Sequence, residues 1–359
     1  MRHNLYIGIV ISPYRVDFCN WLYEHYDCEI YHLMERDDTQ GYNLSAVESL
    51  CRFERHYLAT GSIGGRMYPK GLRKLIEERN PDVVFVPEFS ITTLEVLRIR
   101  KQTGGKFKVV SGCDDSLDMI QGNDFSRFHR LLRRIVPRYL DNIILVNDAV
   151  AQWYREHFGK GIVLPIVPDE RRVRAQMEQA LPLCADMVRS YALEGKKIVL
   201  FVGRLIALKN IGTLLEAARG LDARVVIVGD GEMRKEWEDY AGRLGVDALF
   251  TGRKSGDELL MWYHLADVFV LPSLQEAFGA VVVEALIAGC PAVVSRRAGA
   301  STLIDGINGA TFDPSSPEEL ASSLRNLLAV TRARPANGLR DCLLSVSFEE
   351  AVSSAIEEI

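Results

Sequence analysis

Ten short apolar runs, five in each half of the chain, restrict the fold more than any other feature. In the first half they read LYIGIVI, CEIYHLM, DVVFVP, FKVVS and NIILV. In the second they read KIVLFVG, ARVVIVGD, DALFTG, DVFVLP and PAVVS. Most are solidly apolar, as strands covered on both faces of a parallel sheet must be. Amphipathic segments such as Asn210 to Arg219 and Glu232 to Leu244 lie between them and read as helices. The β–α alternation occurs twice, which predicts an α/β chain of two doubly wound, Rossmann-like domains facing a cleft. The length of 359 residues agrees, since single cores stop growing at roughly 250–300.

Three prolines in VLPIVPDERRV mark the expected join. The predicted domains are residues 1–167 and 168–345, with residues 346–359 as a terminal helix expected to pack back toward the first domain. Glu170 to Leu193 is expected to be one long segment opening the second domain. TGSIGGRMYP reads either as a mobile glycine-rich loop or as a plain linker.

Composition removes several functions. A net charge of -5 argues against a general nucleic-acid binder. Seven scattered cysteines without a CxxC pair suggest reduced thiols in a cytoplasm, not a disulfide framework or zinc site. MRHNLYIGIVIS runs straight into a strand, so no leader is expected. No apolar stretch reaches the roughly 18–20 residues that span a bilayer. The expected location is cytoplasmic, with peripheral contact at the inner face of the membrane.

The chemistry concentrates in LPSLQEAFGAVVVEALIAGCPAVVS, residues 271–295. A strand ends at Pro272, a loop holds Glu276, and a helix starts near Phe278, Gly279 and Ala280. Free N–H groups and the positive dipole end of that helix suit an anion such as a diphosphate. Glu284 sits inside the apolar helix. One molecule would touch both carboxylates, or Glu276 merely complements the dipole while Glu284 faces solvent. Arg204 follows the strand KIVLFVG, and Lys209 stands at the next helix; both are placed to neutralise a leaving anion, unless they are ordinary surface cations. VVIVGDGE lacks the third glycine of a dinucleotide fingerprint, so it is as much a plain turn as a ligand contact. Thr251 to Lys254, with Arg253, is a further strand-end loop on which a base could rest.

Together, FVGRLIALKN, VIVGDGE, FTGRKSGDEL, ADVFVLPSLQEAFGAVVVEALIAGCPAVVSRRAG and LIDGINGATFDP resemble the retaining GT-B glycosyltransferases of family 4, the glycosyl transferases group 1. The resemblance is dense over Lys197 to Pro314. It implies that Glu276 contacts the donor sugar and Glu284 the ribose. It implies that Arg204 and Lys209 hold the diphosphate, with Phe278, Gly279 and Ala280 as the loop over the phosphates. Ala277 stands where many members have glycine, which is tolerable if its backbone angle is ordinary. The implied activity is retaining hexosyl transfer from a UDP- or GDP-linked sugar to a hydroxyl of a glycan or lipid-linked acceptor. The implied setting is bacterial surface-polysaccharide or glycolipid assembly, with no cofactor and no metal. Two rivals share the architecture: a nucleotide-sugar epimerase and a catalytically silent binding subunit.

The first domain is then the acceptor side, where the signal is thinner. Arg15, in a Pro-Tyr-Arg loop, meets a phosphate or is structural. Asp114 and Asp115 polarise an acceptor hydroxyl, bind nothing, or cap the next helix; capping is favoured. Glu88 faces the cleft or caps a helix, with no preference. FSRFHRLLRRIVPRYLD reads as an amphipathic helix. Arg127, Arg130 and Arg134 lie on one side, and Phe125, Phe128, Leu132, Ile135 and Val136 on the side expected to pack. Its basic face is either simply solvated or meets anionic lipid headgroups.

Overall fold

A computed structural model describes residues 3–35, 44–122, 126–330 and 338–359. The chain divides into two compact units. One is Met1–Pro168 with Glu349–Ile359; the other is Asp169–Phe348.

The first unit contains strands β1 (Asn4–Gly8), β2 (Cys28–His32), β3 (His56–Tyr57), β4 (Thr60–Ile63), β5 (Arg66–Pro69), β6 (Val83–Pro87), β7 (Lys108–Cys113), β8 (Asn142–Leu145) and β9 (Ile162–Val163). Seven form a parallel sheet in the order β3-β2-β1-β6-β7-β8-β9. Its helices are α1 (Val16–His25), α2 (Leu44–Glu48), α3 (Leu72–Arg79), α4 (Ile91–Thr103), α5 (Leu117–Gly122), α6 (Arg127–Ile135) and α7 (Asp148–Phe158). The core gathers Leu5 and Ile7 of β1, Val84 and Val86 of β6, and Val96 and Ile99 of α4. The period of two along β1 and β6 puts these residues on one face of the sheet.

The second unit contains α8 (Glu170–Ala180), α9 (Leu183–Ser190), β10 (Ile198–Val202), α10 (Ile211–Ala217), β11 (Arg224–Val228), α11 (Arg234–Leu244), β12 (Ala248–Gly252), α12 (Gly256–Leu265), β13 (Val268–Leu271), α13 (Ala280–Ile287), β14 (Ala292–Ser295), β15 (Gly309–Phe312) and α14 (Pro317–Ala329). The strand order is β12-β11-β10-β13-β14-β15, all parallel. Every residue of β10, β13 and β14 is buried, which explains their unbroken apolar runs. The terminal helix α15 (Phe348–Glu357) belongs chiefly to the first unit, where Glu349 accepts a 3.0 Å hydrogen bond from the Trp21 indole.

Several local expectations are corrected. Glu170 to Leu193 is two helices, because Pro182 interrupts the run between α8 and α9. TGSIGGRMYP is neither a loose loop nor a linker. Thr60 to Pro69 forms an antiparallel hairpin, β4 on β5, closed at Gly64 and Gly65. On α6, Ile135 is 41% exposed although expected to pack. The rotation of this helix is set by Leu132, buried on its inward side, and by Arg133, which reaches carboxylates after β6 and β7. Phe125 lies outside the described residues. Among the described residues, no helix is long and apolar enough to cross a membrane.

His32, at the end of β2, is 2% exposed and ringed by Tyr6, Phe53 and Tyr57. Burial holds its imidazole down at about 4, against an ordinary 6.5. Below the ordinary value the unfolded chain takes up a proton that the native state refuses. Stability is therefore full above about 6.5 and falls as pH drops toward 4, by about 3 kcal/mol in all. Urea melts at neutral and acid pH check this: His32→Gln should lose less stability on acidification than wild type, and an equal loss would remove the assignment.

Candidate active site

In open α/β sheets, ligands sit beyond the carboxyl ends of the strands, where the strand order reverses. In the second unit that point lies between β10 and β13. The loop after β10 carries Arg204 and Lys209; the loop after β13 carries Glu276 to Gly279. Hydrogen bonds tie the two loops together. Leu274 N–H donates to the Leu208 carbonyl at 2.9 Å, and the Asn210 side-chain amide donates to the Pro272 carbonyl at 3.2 Å.

Lys209 forms an ion pair with Glu276, both partly buried. Two residues that the sequence assigned to neighbouring parts of one ligand therefore meet directly. Arg204 is exposed and makes no ion pair among the described residues. The segment from Glu276 to Phe278 is fixed from behind: Gly299 N–H donates to the Glu276 carbonyl at 3.2 Å, and Ala300 N–H to the Phe278 carbonyl at 2.7 Å. Phe278 is itself buried at 2% exposure. Gly279 then turns the chain into α13 with φ 98°, and a Cβ there would lie 2.6 Å from Leu271 Cδ2. Only glycine meets both demands. Ala280 opens α13, and the first N–H groups of a helix lack intrahelical partners. Ala277 keeps an ordinary negative φ, since the residues with positive φ other than glycine are Asp27, Asn80, Ala192 and Asn210.

Glu284 lies about one turn into α13 and is half-buried. Its carboxylate accepts a 2.7 Å hydrogen bond from Tyr263 of α12. Burial pushes its pKa up; the Tyr263 hydroxyl and the charge of Arg172 pull the other way. Arg253 is exposed after β12, the edge strand two places from β10. The glycine turn of VVIVGDGE packs backbone on backbone. A Cβ at Gly229 would fall 1.8 Å from the Gly203 carbonyl oxygen, so the close approach of the two strand ends explains that glycine.

The first unit repeats the arrangement between β1 and β6. A cavity of about 370 Å³ opens there, walled by Tyr6, Tyr14, Phe18 and Phe85. Arg15, Asp114 and Glu88 supply its charge. Arg15 pairs with Asp114 inside the cavity lining. Asp115 turns away and is 2% exposed; it pairs with Arg133 and accepts from the Tyr154 hydroxyl at 3.2 Å. Arg133 also pairs with Glu88. Neither aspartate caps α5. Ser116 does so, accepting from Met119 N–H at 3.2 Å, because it directly precedes the first helical residue. Nor does Glu88 cap α4: Ser90 fills that place, accepting from Thr93 N–H at 3.3 Å. Glu88, Cys113 and Asp115 bring potential metal ligands within 4.8 Å of one another, but Arg133 bridges the two carboxylates and is the cation of this cluster.

Arg133 and Tyr263 are the residues that sequence reasoning missed. For Arg133 the signal was weak: at about 100° per residue it falls midway between Val136 on the side of α6 expected to pack and Arg130 on the basic side, and an arginine buried there must be paired. Tyr263 carries no signal, because only the fold brings α12 against α13.

The family model for glycosyl transferases group 1 matches residues 186–336. The lipopolysaccharide 1,2-N-acetylglucosaminetransferase of Salmonella typhimurium is 31% identical over 250 residues, 62% of this chain and 63% of that one. A GDP-mannose-dependent α-(1-6)-phosphatidylinositol dimannoside mannosyltransferase of Mycobacterium tuberculosis is 26% identical over 337 residues, 84% of this chain and 82% of that one. Across seven curated relatives, the chain spans only 27% to 63% of the relative's own length. Among solved structures, Anabaena Alr3699/HepE in complex with UDP superposes with a TM-score of 0.70 at 16% identity, covering 100% of this chain and 94% of that one. The fold is thus the two-domain GT-B architecture, and residues 186–336 are similar to the glycosyl transferases group 1.

Proposed function

We propose that the chain is a retaining hexosyltransferase of family 4, moving a sugar from a UDP- or GDP-linked donor to an acceptor hydroxyl. The observation that carries this is the convergence between β10 and β13 of exposed Arg204, the Lys209–Glu276 pair and the glycine-capped start of α13. Three positive elements and one carboxylate on tied loops match a sugar diphosphate: the anion meets Arg204, Lys209 and the helix end, and Glu276 takes sugar hydroxyls. Glu284 takes the ribose diol, and Arg253 stands at the base. HepE is solved in complex with UDP, and the mycobacterial relative is GDP-mannose-dependent, which supports either base.

In the reaction the bond from the anomeric carbon to the diphosphate oxygen breaks, and one to the acceptor oxygen forms on the same face. The acceptor proton leaves with the departing diphosphate. Charge grows on that diphosphate, so Arg204, Lys209 and the helix end act most strongly in the transition state. The aromatic-walled cavity between β1 and β6 takes the acceptor, with Arg15 and Asp114 on its hydroxyls. The likeness to lipopolysaccharide and phosphatidylinositol mannoside transferases supports a role in bacterial polysaccharide or glycolipid assembly. A panel of UDP- and GDP-sugars with a glycan acceptor tests the reading. Product should form with the donor's anomeric configuration kept. Inversion, or epimerised donor without transfer, would overturn it.

Glu284 gives a prediction in which stability and binding move oppositely. Its raised pKa means that the unfolded chain releases the proton first as pH rises. The native state is then penalised above the ordinary carboxyl range, and fully so above its own pKa. Glu284→Gln removes the penalty and can still accept from Tyr263. The free variant should melt no lower than wild type at neutral pH, while nucleoside diphosphate affinity falls about tenfold in calorimetry. Unchanged affinity would assign Glu284 to structure alone.

A further inference from the structure

The outward face of α6, with the 3-10 turn Val136–Tyr139 that continues it, is unexplained by either site. Its exposed residues are Arg127, Leu131, Arg134, Ile135, Arg138 and Tyr139. Leu131 is 53% exposed, Ile135 41% and Tyr139 61%, and they follow one another at intervals of four, in one line along the helix. No carboxylate lies within ion-pair distance of Arg127, Arg134 or Arg138 among the described residues. The stripe is not a loose helix caught facing outward. Leu132 and Val136 are buried beneath it, and Arg133 is locked to Glu88 and Asp115, so the helix cannot rotate to hide it. Arg130, assigned to the basic side by sequence, is half-buried, and Arg138 stands outside in its place.

We propose that this face docks on a bilayer that contains anionic lipid. Leu131, Ile135 and Tyr139 enter the boundary between headgroups and acyl chains, while the three arginines reach lipid phosphates on either side. A ridge of large apolar side chains flanked by Arg127, Arg134 and Arg138 fits this partner better than others. Nucleic acid would take the arginines but leave the apolar line unused, and the chain's net charge is -5. A second copy meeting the same face would set arginine against arginine with no carboxylate between them. Docking would bring the transferase to a lipid-linked acceptor; that consequence rests on the proposed activity, but the contact itself does not.

The test is co-sedimentation of the full chain with phosphatidylcholine vesicles, with or without phosphatidylglycerol, at low and high salt. Wild type should pellet with the anionic vesicles and be released by salt. Each arginine should contribute about fivefold, so Arg127→Ser/Arg134→Ser/Arg138→Ser should weaken partitioning about a hundredfold. Leu131→Ser/Ile135→Ser, both at exposed positions, should weaken it about tenfold or more without altering the circular dichroism. In Ile135→Trp, the new indole should shift to the blue and be quenched by brominated lipid. Equal pelleting of all variants, an indole that brominated lipid leaves unquenched, or a stripe-dependent dimer in sedimentation velocity would overturn the proposal. The assay uses neither donor nor acceptor, so its failure leaves the transferase reading standing, and the absence of turnover on every donor leaves this one standing.

Discussion

Lys209→Ala is expected to lower turnover about a hundredfold or more while leaving the melting temperature within a few degrees of wild type. Removing one group aimed at charge that develops in the transition state typically costs about 2.7–4 kcal/mol. Lys209 is partly exposed and its partner Glu276 lies at the same loop junction, so its loss leaves a carboxylate that water can reach. Arg204 is exposed and without an ion pair among the described residues, so Arg204→Ala should slow turnover comparably and cost still less stability. Steady-state kinetics with a saturating donor, beside a urea melt, separates the two quantities. A variant that melts early but turns over normally would reverse the assignment.

Arg133 is expected to behave in the opposite way. Its side chain is 10% exposed, and its guanidinium pairs with Asp115, which is 2% exposed, and with Glu88. Truncating one partner of a buried pair leaves the other charged and desolvated, at about 3–5 kcal/mol. Arg133→Met should therefore cost that much in urea unfolding. Arg133→Met/Asp115→Asn should recover part of it, because the stranded charge is gone and the Tyr154 hydroxyl keeps an acceptor. A loss below about 1 kcal/mol for the single variant would place the pair among weakly contributing surface bridges. The same residue clamps the loops after β6 and β7, which border the cavity. Arg133→Met should thus raise the acceptor KM more than it lowers the rate at saturating acceptor.

What the sequence made legible follows from where each signal is local. β10, β11, β13 and β14 are buried on both faces, so their composition alone announces them. Edge strands lack that signature: β9 and β3 are two residues each, and β15 has half-buried positions. The loops bearing Arg204, Lys209 and Glu276 to Ala280 are readable because their residues follow strand ends closely, and the sheet order brings those ends together. Pairings across long separations were hidden. Arg133 reaches Glu88 over 45 residues and Glu284 meets Tyr263 over 21; no periodicity encodes either distance. Caps were misjudged for a simpler reason. In CDDS the serine, not either aspartate, immediately precedes the helix, and the two aspartates already had arginine partners.

The central claim is that a nucleoside diphosphate is held between β10 and β13. Calorimetric titration of UDP and of GDP into wild type and into Arg204→Ala/Lys209→Ala tests it most directly. One of the two nucleotides should bind wild type at one site per chain, and the double variant, still folded by circular dichroism, should bind it at least a hundredfold more weakly, since each charged contact is worth about 1.5–3 kcal/mol. Equal affinity in the two proteins, or binding of neither nucleotide to wild type, would contradict it.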